Sequence, residues 1–380
     1  MPSARNALIL WATLASGCAR LPLCKQPLPL HAAPSVPVGQ LPLDVVIGDL
    51  NGDGSMDLAT ADARSAQVSV ALGRGDGTFI TPAKSIPVGV IPHLIALSDM
   101  DRDGDLDLVA SDHDSASVVV WLGDNAGAFT PAAGSPFLAH LGKPHNHGLA
   151  VGDVSGDGVP DVITANQEDR SLSVLLGDGT GRLVRALGSP IDVGGEPYLS
   201  RLGDLDHDGK LDVVAPLVSR SALAVLRGNG QSGFAPMPGS PFRTLDRPYA
   251  VAVADLDADG HQDVLIAHDD TDKLTVLLGS ADGTLTAAQG SPISLGTRVF
   301  AMLTGDVNGD GALDVLAGAG HAVMVLVALP GRPLSEACRI DLVGSSWTVN
   351  AGDLDGDGRL EVVSPDAQTN EIHVWTSSVR

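Results

Sequence analysis

The sequence predicts an all-β fold, a seven-bladed β-propeller with blades of four antiparallel strands. An acidic segment, in nearly every copy Asp-x-Asp/Asn-x-Asp-Gly-x-x-Asp, occurs seven times and runs each time into a short apolar segment. Successive copies begin 50, 54, 51, 51, 51 and 47 residues apart. A period of about 50 residues in an all-β pattern is typical of one propeller blade per repeat. The apolar segments are short and rich in Val, Leu and Ile, which favours strands over helices.

The first repeat contains the four strands of one blade. Residues 43–47 form the predicted innermost strand, and the acidic segment leads from it into a second strand over residues 58–61. A third strand follows over residues 67–72, and a glycine-rich turn then leads into the outer strand over residues 79–86. Such turns suit tight hairpins, so each repeat is expected to form an antiparallel meander.

The last repeat has no outer strand of its own after its predicted strands at 361–363 and 371–375. Residues 34–42 match residues 84–92, the stretch around the outer strand of the first repeat. We therefore expect residues 28–38 to supply the outer strand of the seventh blade, so that the propeller spans residues 28–380. Closing the ring in this way removes exposed sheet edges.

Each acidic segment has the pattern of a calcium-binding loop. Oxygen-bearing side chains alternate at positions one, three and five, position seven offers a backbone carbonyl, and position nine completes the set. Hard oxygen ligands suit Ca²⁺, and the glycine at position six allows the chain to turn around the ion. Up to seven structural Ca²⁺ ions are predicted. The ligands are Asp49, Asn51, Asp53, Ser55 and Asp57; Asp99, Asp101, Asp103, Asp105 and Asp107; Asp153, Ser155, Asp157, Val159 and Asp161; Asp204, Asp206, Asp208, Lys210 and Asp212; Asp255, Asp257, Asp259, His261 and Asp263; Asp306, Asn308, Asp310, Ala312 and Asp314; and Asp353, Asp355, Asp357, Arg359 and Glu361.

Two other interpretations of the acidic segments are disfavoured. An EF-hand needs a bidentate Glu at position twelve and flanking helices, but the flanks are strand-like and position twelve carries no acid. Those residues are Thr60, Ala110, Thr164, Ala215, Ile266, Ala317 and Ser364. Turn residues on a solvated edge would not require an acid at positions one, five and nine of every copy.

The charge balance excludes one class of partner. The chain carries 46 acidic and 23 basic side chains, a formal net charge of −23. Such a charge opposes binding to nucleic acid. Seven divalent ions would offset more than half of it, so the acidity is largely a property of the predicted metal loops.

The N-terminus predicts export. Arg5 precedes an apolar stretch over residues 7–14, and small residues follow up to Gly17, directly before Cys18. This order resembles a bacterial lipobox, which implies a signal peptide over residues 1–17, a lipidated Cys18 and a linker over residues 18–27. We expect a lipoprotein of the outer membrane or cell surface, held to the membrane only by this anchor. The alternative is a periplasmic or secreted protein.

Two further cysteines, Cys24 and Cys338, remain. In an oxidising compartment they are expected to form a disulfide that pins the N-terminal segment where the ring closes. The alternative is a pair of free thiols.

A second register lies six residues before each acidic segment. It holds Leu43, His93, His147, Tyr198, Tyr249, Phe300 and Trp347, and both tyrosines of the chain fall in it. The position begins the innermost strand, at the end of the channel away from the acidic loops. All but Leu43 are candidate ligand-binding residues that would stack on a sugar or an extended peptide. The alternative is that these side chains plug the channel or pack between blades.

Loops between second and third strands should open on the same face. They are expected to give the aromatic mouth a polar rim of Asp62, Asp112, His113, Asn166, Gln167, His268 and Asp366. Nearby, His140, His145 and His147 have the chemistry to bind a transition metal, because His-x-His on a strand directs both rings to one side. No acidic or cysteine partner lies in that stretch, so this remains the less favoured interpretation.

These motifs resemble a known repeat. Asp-Leu-Asn-Gly-Asp-Gly-x-x-Asp-Leu from Asp49, followed by Leu-Gly-x-Gly-x-Gly-x-Phe from Leu72, is similar to the FG-GAP and VCBS repeats of integrin α-subunit propellers and bacterial surface proteins. The resemblance covers about residues 28–380 and implies calcium in the turn between the first and second strands. Ser155 and Glu361 depart from the pattern, so their loops are expected to be the weakest sites.

The expected function is that of a monomeric, non-enzymatic binding or adhesion module for a carbohydrate or protein ligand. One alternative is a carbohydrate-active enzyme, because some propellers with similar repeats resemble polysaccharide lyases. Its base would come from His93, His147, Tyr198 or Tyr249. Another alternative is a structural scaffold that contacts its partners through the outer blade edges.

Overall fold

The computed structural model describes residues 30–143, 145–329 and 332–376, which form a closed ring of seven antiparallel sheets. The predicted seven-bladed propeller is confirmed. The described residues contain one short 3₁₀ helix, Ala63–Ser65. No helix within these ranges has the length and apolarity needed to cross a membrane. The predicted signal peptide and linker, with Cys18 and Cys24, lie outside the described residues.

Each blade runs outward from an inner strand along the channel to an outer strand. In that order, blade one comprises Pro42–Gly48, Asp57–Asp62, Gln67–Ala71 and Lys84–Pro87; blade two comprises Pro92–Ser98, Asp107–Asp112, Ser117–Gly123 and the pair Phe129–Pro131 and Phe137–Leu138; blade three comprises Asn146–Gly152, Asp161–Asn166, Ser171–Gly177 and the pair Leu183–Arg185 and Ile191–Asp192; blade four comprises Arg201–Gly203, Asp212–Leu217, Ala222–Gly228 and the pair Phe234–Pro236 and Phe242–Arg243.

The remaining blades follow the same order. Blade five comprises Pro248–Ala254, Asp263–His268, Lys273–Leu278 and the pair Thr286–Ala287 and Ile293–Ser294; blade six comprises Ala301–Gly305, Asp314–Gly318, Gly320–Leu329 and Arg332–Ser346; blade seven comprises Asn350–Gly352, Glu361–Asp366, Glu371–Thr376 and the pair His31–Ala32 and Val36–Pro37.

The outer strand is split in two in most blades. Proline has no N–H to give to the ladder, and in blades two to five pairing stops at a Ser-Pro step between the two pieces. In blade two the Ser135 hydroxyl takes over by accepting the Val120 N–H at 3.1 Å. Blade one departs from the predicted outer strand over residues 79–86, because only a single bridge at Phe79 precedes the strand Lys84–Pro87.

The ring closes as predicted. His31 and Ala32 pair with Thr376 and Trp375, and Val36 pairs with Ile372. Val36 and Ile372 are almost fully buried in the apolar layer between blades seven and one. Similar layers of Val, Leu, Ile and Ala fill the other interfaces between blades. They fix the position of each blade relative to its neighbours around the channel.

Candidate functional site

The acidic loops all lie at one end of the ring, where the inner strands end. Asp49 organises the first loop, because its carboxylate accepts the N–H of Gly52 at 2.7 Å, of Asp53 at 3.2 Å and of Gly54 at 2.8 Å. The glycine at position six has a φ of 80–96° in every loop, as predicted. The carboxylate of the first aspartate therefore holds the loop in a tight turn around itself.

Position nine has a structural role that sequence reasoning missed. Asp57 is 0 % exposed, and its two oxygens accept the N–H of Leu50 at 2.8 Å and of Gly73 at 2.7 Å. Gly73 follows the third strand, so the carboxylate ties the loop to the end of that strand. The same pair of bonds is made by Asp107, Asp161, Asp212 and Asp263.

The glycine that receives this bond is a signal in the sequence. It stands 16 residues after position nine, at Gly73, Gly123, Gly177, Gly228 and Gly279. A Cβ at Gly73 would collide with the carbonyl oxygen of Met56, so only glycine fits there. In the seventh loop Glu361 is buried and accepts the Leu354 N–H at 2.7 Å, so the longer acid preserves the contact with the loop.

Burial raises the pKa of the position-nine carboxyl in the first five loops. The pKa of Asp107 and of Asp212 rises to about 6, with backbone hydrogen bonds opposing the shift. A divalent ion beside such a carboxylate favours its charged form, because opposite charges attract most strongly where water is excluded. The loops are therefore built to gain from a bound cation.

Four loops gather three carboxylates whose oxygens lie within 4.8 Å of one another. The others carry Asn51, Ser155 or Asn308 at position three and so present one carboxylate fewer. Clustered carboxylate oxygens are the donors that Ca²⁺ takes, so the residues present fit that ion. The four clusters are Asp99, Asp101 and Asp107; Asp204, Asp206 and Asp212; Asp255, Asp257 and Asp259; and Asp353, Asp355 and Asp357.

The fourth loop carries basic side chains that compete with a metal ion. Arg227 lies 2.6 Å from Asp206 and 3.0 Å from Asp208, and Lys210 lies 3.0 Å from Asp208. A cation must displace these ion pairs before it can use both carboxylates. These ion pairs distinguish the fourth loop from the other loops, and Lys210 at position seven is their signal in the sequence.

The aromatic register comes together at the opposite end of the channel. Its rings follow one another around the mouth, with centroids separated by 5.4 Å from His93 to His147, 4.1 Å from His147 to Tyr198 and 4.1 Å from Tyr198 to Tyr249. The arc continues over 5.9 Å to Phe300 and 5.1 Å to Trp347. It borders a cavity of about 250 Å³ that is also lined by Leu43, Leu94, Leu199 and Thr348.

The mouth is mostly apolar, and its two tyrosine hydroxyls are paired. The Tyr249 hydroxyl donates to the Tyr198 hydroxyl at 2.9 Å, and burial raises the pKa of both phenols, which keeps them protonated. Trp347 is 43 % exposed, whereas Tyr198 is buried. The arc therefore offers one open aromatic face and a recessed floor.

The predicted polar rim is wrong for five of its seven members. Those residues are buried because each ends the second strand of a blade, between the first and third strands. Asp62, for example, accepts hydrogen bonds from Thr60 at 2.8 Å and from the Gly39 N–H at 3.1 Å. Only His113 and Gln167 remain partly exposed at the mouth. The buried members are Asp62, Asp112, Asn166, His268 and Asp366.

The histidine trio of the less favoured metal interpretation does not come together, because His140 lies apart from the other two. His140 is buried and lies 3.0 Å from Asp169, with its other ring nitrogen 3.3 Å from the Asn146 side chain. His113 from blade two takes its place. Its ring centroid lies 4.6 Å from that of His145 and 4.9 Å from that of His147.

Asp44 and Arg201 are oppositely charged side chains on inner strands of the channel wall. Burial raises the pKa of Asp44 to about 6, opposed by the backbone N–H groups of Ile95 and Val45 and by the charge of Arg201. The folded-state pKa exceeds the unfolded value of about 3.9, so the stability from this bound proton is present below that value and is lost as pH rises through 6.

Cys338 is 3 % exposed and disulfide-bonded, on the outer strand of blade six. Its predicted partner Cys24 lies outside the described residues, so the pairing stays a prediction.

Solved structures share the fold at low sequence identity. The BBS1N chain of a complex with ARL6DN is 13 % identical, with 92 % of this chain and 97 % of that chain covered and a TM-score of 0.66. An Agrocybe aegerita lectin that recognises non-reducing terminal N-acetylglucosamine is 20 % identical, with 78 % and 80 % covered and a TM-score of 0.57. Virginiamycin B lyase from Staphylococcus aureus is 10 % identical, with 91 % and 98 % covered and a TM-score of 0.59. At these identities the likeness extends to the fold alone.

No curated protein sequence matches the chain significantly. The FG-GAP-like repeat model matches five overlapping segments, residues 49–110, 99–164, 153–215, 204–266 and 255–317. Together they run from the first acidic loop to the second strand of blade six, well over half of the chain. Each segment begins at one acidic loop and ends in the second strand of the following blade, so it spans slightly more than one blade period. The chain therefore belongs to the family of FG-GAP-like repeat proteins.

Proposed function

We propose that this protein is a calcium-stabilised, exported propeller that binds a carbohydrate at the aromatic mouth of its channel without chemically changing it. The observation that carries the proposal is the arc from His93 to Trp347 around a cavity of about 250 Å³. The lectin among the structural neighbours supports the ligand class by analogy only, since the shared feature is the fold.

Aromatic faces suit sugar rings, because the C–H groups of a sugar pack on the ring and the hydroxyls reach the surrounding polar atoms. Trp347 offers its face at the rim, while the Tyr198 and Tyr249 hydroxyls lie deeper. The cavity is slightly smaller than the roughly 300–1,000 Å³ of sites for drug-sized ligands. It therefore suits the terminal residue of a glycan better than the middle of a chain.

A protein ligand is the second candidate. Arg298 lies 5.7 Å from the centre of the Phe300 ring, which places a positive charge beside the apolar arc. That combination suits an extended peptide with an aromatic and an acidic side chain. The BBS1N neighbour, which was solved with the protein ARL6DN, supports a protein partner by analogy of fold.

Catalysis is the less favoured candidate, and its acid or base would be His93, which lines the cavity. Among the described residues that line the cavity there is no Asp or Glu, and the two tyrosine hydroxyls bond to each other. A lyase or hydrolase commonly needs a positioned acid or base. The virginiamycin B lyase neighbour shares the ring architecture, which carries no catalytic group by itself.

Calcium, on this proposal, acts at the other end of the ring. The acidic loops lie where the inner strands end and the aromatic mouth lies where they begin, so the ions would stabilise the blades without touching the ligand. Export and a lipid anchor at Cys18 would place the protein, as a monomer, at the cell surface, where calcium and glycans are abundant.

A glycan array with the calcium-loaded protein tests the ligand proposal. Trp347→Ala and Tyr249→Ala should each lose glycan binding by tenfold or more while keeping the wild-type circular dichroism spectrum. Leu187→Ala is the matched control, because Leu187 is 102 % exposed in blade three and does not line the cavity. A blank array for the wild type would move the proposal to a protein ligand, and unchanged binding by both aromatic variants would refute the location.

A further inference from the structure

We propose that His113, His145 and His147 bind a transition-metal ion at the edge of the channel mouth, with His93 as a fourth imidazole beside them. The three histidines each offer a ring nitrogen, and these nitrogens lie within 4.8 Å of one another. The site joins two blades, since His113 follows the second strand of blade two, His145 directly precedes the inner strand of blade three and His147 lies in that strand.

Carboxylates orient two of the rings. The Nδ1 atom of His113 lies 2.5 Å from Asp114, and the Nδ1 atom of His145 lies 3.4 Å from Glu168. Metal-bound histidines usually donate their second ring nitrogen to a carboxylate in this way, which sets the tautomer and raises the basicity of the ligating nitrogen. The arrangement leaves Nε2 of both rings as the atom for the metal.

The third histidine has a nitrogen that lacks any protein partner. His147 is 7 % exposed, and its Nδ1 atom is buried without a hydrogen bond. The Nδ1 atom of His93, with its ring centroid 5.4 Å from that of His147, is in the same condition. Buried polar atoms are nearly always satisfied, so two unsatisfied imidazole nitrogens beside two oriented ones call for a bound group.

The donor set indicates the class of metal. A set of imidazole ligands, without a carboxylate ligand to the metal, suits Zn²⁺, Cu²⁺, Ni²⁺ or Co²⁺. In contrast, Ca²⁺ and Mg²⁺ take oxygen donors. His93 also lines the cavity of the aromatic mouth, so the metal would lie beside the proposed ligand site. The metal proposal does not depend on glycan binding, because it is tested with metal alone.

Direct titration of the untagged, calcium-loaded protein tests the site. In excess calcium, Co²⁺ followed by its visible absorption and Zn²⁺ followed by calorimetry should each bind with one equivalent. His113→Gln and His145→Gln should weaken the binding by at least about tenfold, and the double variant should abolish it. His321→Gln, a change of an exposed histidine on blade six, should bind like the wild type.

Several outcomes would overturn the proposal. The first is that the wild type shows no saturable binding, and the second is that the His321→Gln control is weakened equally. The third is that Co²⁺ binding is lost as calcium is raised, because this would place the Co²⁺ ion in the acidic loops. Asp114→Asn gives a second measure, because loss of its carboxylate should weaken Co²⁺ binding without removing a ligand. Circular dichroism of each variant checks that the fold is retained.

Discussion

Asp57→Asn separates the structural role of the acidic loops from their role as calcium ligands. The carboxylate accepts two buried backbone N–H groups, from Leu50 at 2.8 Å and Gly73 at 2.7 Å. Asparagine keeps one acceptor oxygen and turns an amide donor toward the other N–H. One charge-assisted hydrogen bond is lost, worth roughly 1.5–3 kcal/mol, and a buried donor stays unsatisfied at a cost of about 1–3 kcal/mol.

The substitution also brings a gain that reduces the net effect. Burial raises the pKa of Asp57, so the ionised carboxylate is disfavoured there when no cation is present. A neutral asparagine does not bear that cost. We therefore expect Asp57→Asn to lower the free energy of unfolding by about 2 kcal/mol in the presence of EGTA, which is less than the summed losses.

Asp53→Asn is the matched control within the same loop. Asp53 is exposed and makes no buried hydrogen bond, so in EGTA its substitution should change the free energy of unfolding by less than about 0.5 kcal/mol. With calcium, both variants lose the negative charge of one ligand and both should lower the stability. Urea titrations followed by tryptophan fluorescence, with and without calcium, measure the four differences. Equal stability of Asp57→Asn and Asp53→Asn in EGTA would refute the structural role of position nine.

Three further predictions address calcium, pH and ring closure. Removing calcium with EGTA should lower the melting temperature, because each site stabilises the fold by about 2.7 kcal/mol when calcium exceeds its Kd a hundredfold; an unchanged melting temperature would show that calcium is not structural. As pH rises from about 4 to 8, the free energy of unfolding of Asp44→Asn should increase by about 1–3 kcal/mol relative to the wild type. The reason is that only the wild type loses the stabilisation from its bound proton as pH rises through 6. A difference that stays constant with pH, as expected for the exposed Asp341→Asn, would contradict the pKa of Asp44. Val36→Ala should cost about 1–3 kcal/mol in a urea titration, because Val36 is buried against Ile372 where the ring closes, whereas the exposed Val184→Ala should cost almost nothing.

The repeat period explains why so much of the fold was predictable. Once one acidic loop is placed at the end of an inner strand, every other loop must occupy the same end of the ring. The position six residues earlier must then lie at the other end in every blade. Tyr198 and Tyr249 stand 51 residues apart in the chain, yet their hydroxyl groups are 2.9 Å apart. The arc at the mouth thus follows from counting alone.

Counting fails where burial depends on depth within a blade. Asp62 and Asp366 end a second strand, and their charge indicates an open loop when only the sequence is considered. The neighbouring strands cover them on both sides, and hydrogen bonds from Thr60 to Asp62 and from the Gln368 N–H to Asp366 satisfy them instead. The sequence of a single repeat does not indicate how deeply the end of its second strand is buried.

The histidine cluster arises where the repeat is irregular. The spacing from Asp99 to Asp153 is 54 residues, the longest in the chain, and the additional residues fall in the segment that leads to His145. His145, at the end of that longer segment, and His147, at the register position of the arc, both lie against His113 of the preceding blade. Differences between blades in sequence or in length can build a site on one side of the ring. The proposed metal site between blades two and three uses both, since histidines replace other residues at shared positions and the longest spacing lies at that point.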